Sequence, residues 1–189
     1  MNKPALGFAV TGSFCNHQNA LAVLRTLTEK WDVVPILSFA SASLDTRFGT
    51  ARELAAALTE ITGRTPVATL GEAERFGPAQ PLDAMLVCPC TGTTAARLAH
   101  GISDTPVTLA AKAHLRTDRP LLLALASNDA MSANLGSLAA LVNRRHIWLV
   151  PMKQDDPRGK PHSLVADFTK VGEALDAMTE GRQLYPLFL

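Results

Sequence analysis

The sequence predicts an α/β fold of three layers, a parallel β-sheet flanked on both faces by helices. Three observations predict it. Short apolar runs, each the length of one strand, alternate with longer stretches whose apolar residues recur at helical spacing. The runs are continuously apolar, as in Leu121-Leu122-Leu123-Ala124-Leu125-Ala126, so both faces of those strands are covered. Gly, Ser, Thr and Asn collect just after the strands, where a βα crossover opens its helix.

The elements follow in order. Leu6–Thr11 reads as the first strand, and Gly12-Ser13 turns the chain into a helix carried by Ala20, Leu21, Val23, Leu24 and Leu27. Val33–Leu37 is the second strand, followed by an irregular stretch, Ala40–Gly49. Ala51–Ile61 has Leu54, Leu58 and Ile61 at helical spacing, with Gly63 as its stop. Asp83–Val87 is a strand, and Thr91-Gly92-Thr93-Thr94 opens a helix that runs to Leu98. Pro106–Arg116 is a helix with Asp104 as its cap. Leu121–Leu125 is a strand, Leu135–Val142 a helix and His146–Val150 the last strand. Lys153–Pro161, rich in Asp, Pro and Gly, is a surface loop. Val165–Met178 closes the chain as an amphipathic helix.

With 189 residues the chain fits one domain over 1–189. Its 47% hydrophobic and 19% charged residues exclude a disordered chain. Eighteen Lys+Arg against seventeen Asp+Glu leave a net charge of +1, which argues against a nucleic-acid partner. No run approaches the ~18–20 apolar residues of a membrane span, and the N-terminus lacks the apolar stretch of a secretory signal. Three cysteines, two of them in Cys88-Pro89-Cys90, make no disulfide framework. The expectation is a cytoplasmic protein without a membrane partner. No further ligands stand at zinc spacing from that pair, so no metal is expected.

Ligands of an open parallel sheet bind beyond the carboxyl ends of its strands. That rule selects Thr11–Asn16, Ser38–Phe48, Cys88–Thr94 and Ala126–Met131. Each alone is an ordinary capped turn; four on one edge indicate a shared site. Their hydroxyls and backbone N–H groups suit a phosphate. Thr11-Gly12-Ser13-Phe14-Cys15-Asn16 contains no G-x-G-x-x-G, and the second strand ends Leu37-Ser38-Phe39 without an acid, so a dinucleotide is disfavoured. No Walker A loop is present. A mononucleotide fits better. Cys88 is expected in the core and Cys90 at the mouth of the site. The histidines form no motif, and only His17, after the first turn, is a candidate. Lys112, His114, Arg116 and Arg119 read as a solvated helix end. Asp45-Thr46-Arg47-Phe48-Gly49 either offers its charges to a carboxylate or a neighbouring protomer, or begins the next helix with Arg47 in solvent.

Val10-Thr11-Gly12-Ser13, Leu44-Asp45-Thr46-Arg47-Phe48-Gly49, Pro89-Cys90-Thr91-Gly92-Thr93-Thr94, Ile102-Ser103-Asp104 and Ala126-Ser127-Asn128-Asp129-Ala130, in this order, resemble the B-subunit family of bacterial dipicolinate synthase. The resemblance runs nearly end to end and includes Gln154-Asp155-Asp156-Pro157 and Lys160-Pro161-His162-Ser163. That family is similar in turn to FMN-dependent flavoproteins, the cysteine-type decarboxylases and flavin prenyltransferases. The resemblance implies a flavodoxin-like Rossmann fold, FMN, and homo-oligomers, often trimers, with flavin at subunit contacts. By motif, Gly12 and Ser13 line the phosphate and Ser38 sits beside the flavin. Cys90, Thr91, Gly92, Thr93 and Thr94 replace the flavin-site loop of the group. Asn128 and Met131 match the asparagine and second methionine of the decarboxylase motif. Leu125 and Ser127 stand where that motif has proline and methionine, and Glu74–Pro78 holds no counterpart of the decarboxylases' histidine.

The resemblance further implies one subunit type of an oxidoreductase. Acting with an A subunit that carries NAD(P), it oxidises a dihydro- or hydroxy-tetrahydrodipicolinate to dipicolinic acid, in the cytoplasm of the mother cell of a sporulating bacterium. A small dicarboxylate needs cations or N–H donors at its ends. Arg47 is the candidate cation, with Asn128 and the Ser127 hydroxyl as hydrogen-bonding groups. The alternatives are a stand-alone FMN-dependent decarboxylase or flavin prenyltransferase, and a non-catalytic partner that stabilises the A subunit.

Overall fold

A computed structural model describes residues 3–189. Four strands follow the expected order: β1 (Ala5–Val10), β2 (Asp32–Leu37), β3 (Ala84–Thr91) and β4 (Leu121–Ser127). Between them lie α1 (His17–Leu27), the short α2 (Phe39–Ser43), α3 (Ala51–Thr62), the short α4 (Leu70–Ala73), α5 (Gly92–Ala99) and α6 (Pro106–Leu115). The chain continues through α7 (Leu135–Val142), β5 (Ile147–Leu149), β6 (Met152–Lys153), β7 (Leu164–Ala166) and α8 (Val171–Thr179). The seven-stranded sheet runs β2-β1-β3-β4-β7-β6, with β5 beside the first half of β4.

β1 to β5 are mutually parallel, which requires the crossovers that the helices provide. One edge of β4 serves two strands in turn. Leu121–Leu123 pair with β5, then Ala126 and Ser127 pair antiparallel with β7. The chain therefore turns back across the carboxyl end of the sheet and brings the 155–163 loop over it.

Alternation along the strands divides the core into two layers. Leu6, Phe8, Val10, Leu86 and Leu122 face α1, α3 and α8. Ile36, Met85, Val87, Leu121 and Leu123 face the layer that contains Phe76, Val107, Ala110 and Leu138. Local signals close the helices. Thr50 and Glu53 form a capping box at the start of α3, and Gly63 ends it in the left-handed region at φ 69°.

Several boundaries differ from the sequence reading. β3 runs on to Thr91 because its register shifts between Val87 and Cys90. That bulge takes in Pro89, which has no N–H for a regular ladder. His146–Val150 is not the last strand, and Val165 belongs to β7 rather than to the closing helix. A three-residue strand gives too short a pattern to separate from the helix that follows it. Thr105, not Asp104, caps α6; Asp104 pairs with Arg97 at 2.9 Å. His114 is fully buried rather than solvated, and its Nε2–H donates to the Pro120 carbonyl at 2.9 Å.

Candidate functional site

The carboxyl ends of β1, β3 and β4 open into a cavity of about 460 Å³. Thr11, at the end of β1, is 1% exposed and joins two of its walls. Its hydroxyl donates to the Pro89 carbonyl at 2.7 Å and accepts from the Thr91 N–H at 3.0 Å. The Thr11 carbonyl accepts from Ser13 N at 2.8 Å and from His17 Nε2 at 2.9 Å. A carbonyl can only accept, so Nε2 carries the proton and Nδ1 the lone pair. Burial pushes the pKa of His17 below the ordinary imidazole value, against the raising effect of that hydrogen bond.

The β3–α5 turn forms the next wall. Thr91 caps α5: its hydroxyl accepts from Thr94 N at 3.2 Å and bonds the Thr94 hydroxyl at 3.0 Å. Gly92 is the first residue of α5, and a side chain there has no room. A Cβ would strike Ser127 Oγ and lie 2.8 Å from Asp129 Oδ1 and 2.9 Å from Asn134 Nδ2. Ser127 Oγ donates to Asp129 Oδ1, and Asn134 Nδ2 donates to Asp129 Oδ2 at 2.7 Å. A carboxylate fixed beside the N-terminus of α5 is favourable with the helix dipole.

The remaining wall comes from the loop after β6. Lys160 Nζ lies 2.9 Å from Asp155 Oδ2, and Asp156 holds the turn by accepting from Gly159 N at 2.8 Å. Phe14 and Phe48 stand where this cavity meets a second one of about 560 Å³. That second cavity is also lined by His17, Arg25, Arg47 and Glu53.

Of the residues expected from sequence, Gly12, Ser13, Thr91, Gly92, Thr93, Ser127 and Asn128 all line the first cavity. Asn128 and Thr93 are exposed there. Cys90 is a correction: expected at the mouth, it is 0% exposed inside the apolar layer, and burial pushes its thiol up to about 12. The bulge at Cys88-Pro89 sets which face each of these side chains takes. Ser38 is buried and caps α2, accepting from Ser41 N at 3.2 Å. Thr94 is likewise buried in its capping bonds. Arg47 does not join Ser127 and Asn128; its guanidinium lies 4.8 Å over the Phe48 ring in the second cavity. Asp45 is a structural tie, accepting from Ala51 N at 2.9 Å.

Sequence reasoning had Phe14 inside the chosen Thr11–Asn16 segment without giving it a role, and it did not place Asp155, Lys160 or Ser163 at the site. The available signal was that the 153–161 loop, like the four chosen segments, leaves the carboxyl end of the sheet. Among the described residues no group of three or more His, Cys, Asp or Glu is placed to hold a metal ion. No helix among them is long and apolar enough to cross a membrane.

The family signature described as Flavoprotein matches residues 1–164, and the chain belongs to that family. It is 34% identical to the dipicolinate synthase B subunit of Bacillus subtilis over 185 residues, 97% of this chain and 92% of that protein. The crystal structure of the dipicolinate synthase B subunit from Bacillus halodurans superposes with a TM-score of 0.90 at 33% identity, covering 100% of this chain and 98% of that one. A dodecameric FMN-dependent Ubix-like decarboxylase from Escherichia coli gives a TM-score of 0.60 at 25% identity, covering 78% and 79%.

Proposed function

We propose that this chain is the FMN-binding B subunit of a dipicolinate synthase. With an A subunit that carries NAD(P), it takes part in oxidising a dihydro- or hydroxy-tetrahydrodipicolinate to the aromatic pyridine dicarboxylate. The observation that carries the reading is the convergence of three strand ends on one cavity that has hydroxyl and amide groups on its walls and two phenyl rings at one side. The similarity over nearly the whole chain to two B subunits supports the choice of reaction.

The donor set fits FMN. Ser13, Asn16, Thr93 and Asn128 offer neutral hydrogen bonds, and the Gly12–Asn16 turn lines the same space. Phe14 and Phe48 offer apolar faces to a flat ring system. The first cavity would hold the ribityl phosphate near Gly12 and Ser13, with the ring toward the two phenylalanines. Bound flavin supplies two-electron acceptor chemistry. The chain's own groups orient the ligand: Asn128 is free to hydrogen-bond, whereas the Ser127 hydroxyl is committed to Asp129.

Exposed Phe39, Leu44 and Phe48 cluster on the stretch that borders the cavities, which supports a homo-oligomer closing the site from outside. The proposed setting is the cytoplasm of a sporulating cell. The test is an absorbance spectrum of the purified chain before and after addition of FMN and desalting, followed by turnover assays with an A subunit. Retained flavin bands and activity only in the pair are expected. A chain that cannot be loaded with FMN would overturn the cofactor assignment, and turnover without an A subunit would favour a stand-alone flavoenzyme.

A further inference from the structure

We infer that the second cavity, bounded by Arg25, Arg47 and His17, is the binding site for the carboxylates of the small dicarboxylate substrate. This rests on the reading of the chain as one half of a dipicolinate synthase.

The charges decide between the two cavities. Among the described residues the only cation lining the first is Lys160, already paired with Asp155, and Asp129 adds a second carboxylate there. A dicarboxylate entering that space finds hydroxyl, amide and backbone N–H donors, the kind a phosphate takes at a turn, but no unpaired cation to grip a carboxylate in a fork. The second cavity, at about 560 Å³ the larger of the two, has two guanidiniums on its wall. Arg64, Arg97 and Arg119 are each held by an aspartate, at 2.7, 2.9 and 3.4 Å. Among the described residues neither Arg25 nor Arg47 has an acidic partner within ion-pair distance. Among the described residues Glu53 is the one acid on the wall, and its carboxylate is turned to Thr50, accepting from the backbone N–H at 2.8 Å and the hydroxyl at 2.9 Å. The cavity is thus left with an excess of cationic donors of the kind that bind carboxylates in a bidentate fork.

Position supports the same assignment. Phe14 and Phe48 border both cavities, so a planar dicarboxylate held here lies next to whatever fills the first. Arg47 is held against Phe48, which places one cation at that border; Arg25, on α1, supplies the second from another element. His17 completes the wall, with the proton on Nε2 and a lone pair on Nδ1. It adds no positive charge near neutral pH and can accept from a protonated ring nitrogen or a hydroxyl.

The experiment is calorimetric titration of the purified chain, with and without FMN, using pyridine-2,6-dicarboxylate and pyridine-2-carboxylate as probes. The variants are Arg25→Gln, Arg47→Gln and Lys160→Gln. Loss of one charge-assisted contact is expected to weaken the dicarboxylate about 10-fold to 100-fold in each arginine variant. The monocarboxylate should bind more weakly and respond to only one of the two arginines. Lys160→Gln should leave the dicarboxylate unaffected. Neither arginine is buried, so circular dichroism and thermal melting should show the variants folded. Absence of dicarboxylate binding to the unaltered chain overturns the site, as does binding that survives both arginine changes or is lost in Lys160→Gln. FMN retention is read in parallel. Arginine-dependent binding in a chain that never holds FMN supports the site while removing the flavin from the wider reading.

Discussion

Thr11, just past the end of β1, and Thr91 on β3 are locked together through one hydroxyl, which accepts from the Thr91 N–H at 3.0 Å while donating to the Pro89 carbonyl at 2.7 Å. These groups flank the bulge in β3, where the regular ladder is broken, so a side chain supplies what the sheet does not. Thr11→Val keeps the shape and removes both bonds. Leaving a donor and an acceptor unsatisfied in a nearly buried place should cost about 1–3 kcal/mol, lowering the melting temperature by several degrees in a protein of this size. Thr11→Ser should retain most of that stability. Equal melting of the valine variant and the unaltered chain would show that water replaces the hydroxyl.

At the other side of the sheet Gln183 acts as a substitute strand. Its Oε1 accepts from Leu149 N at 3.0 Å and its Nε2 donates to Leu149 O at 2.7 Å, which completes the outer edge of β5. Gln183→Leu is expected to lose about 1–3 kcal/mol in urea denaturation, because both main-chain groups of Leu149 lose their partner. Gln183→Glu can replace the acceptor but not the donor and should also destabilise. A glutamate variant as stable as the original would mean that the Leu149 carbonyl is bonded elsewhere.

The sheet edge that opens into the first cavity was legible in the sequence because its signals are local. Continuous apolar runs marked β1, β2, β3 and β4, and the carboxyl-end rule then picked out Gly12, Ser13, Thr91, Gly92, Thr93, Ser127 and Asn128, all of which line one cavity. What stayed hidden depends on side-chain direction or on long-range pairing. Cys90 follows a bulge that no periodicity shows, and it faces the core. β7 is three residues long and exists because it pairs with the end of β4. Lys160 and Asp155 reach the cavity only because that pairing folds their loop over it. Arg47 and Asn128, grouped as ligands of one substrate on residue chemistry alone, stand in separate cavities, and that division depends on where two phenyl rings lie.

Stability should fall as pH drops from 7 toward 5. Burial pushes the pKa values of His114 and His17 below the ordinary imidazole value, in each case against a hydrogen bond to a carbonyl. In the unfolded chain these rings titrate near ~6.5. Below that pH the unfolded state takes up protons that the folded state refuses, so the contribution is complete above ~6.5 and is lost on acidification. Most carboxylates titrate lower, near ~4, which leaves the window between ~5 and ~6.5 largely to the histidines. Urea midpoints at about pH 7.5 and about pH 5.5, on either side of the imidazole range, should differ, and His114→Gln should reduce the difference. A flat profile in the unaltered chain would mean that the buried rings remain able to take up protons.

Gly92→Ala is the most direct probe of the α5 side of the first cavity, where FMN is proposed to bind. The added methyl strikes Ser127 Oγ and comes within 2.8 Å of Asp129 and 2.9 Å of Asn134, three groups that are bonded to one another and have little freedom to move apart. Overpacking of this kind costs about 1–3 kcal/mol, and the displacement it forces falls on Asn128, which lies between Ser127 and Asp129 in the chain. The expected result is a folded protein with a lowered melting temperature that no longer retains FMN through desalting. Adding Ser127→Ala relieves one of the three contacts and should recover part of the stability. It should recover flavin retention only if Asn128 returns to its place. A Gly92→Ala protein that melts lower yet holds FMN as tightly as the original would separate the α5 entrance from the cofactor and shift the phosphate site to the Gly12–Asn16 turn alone.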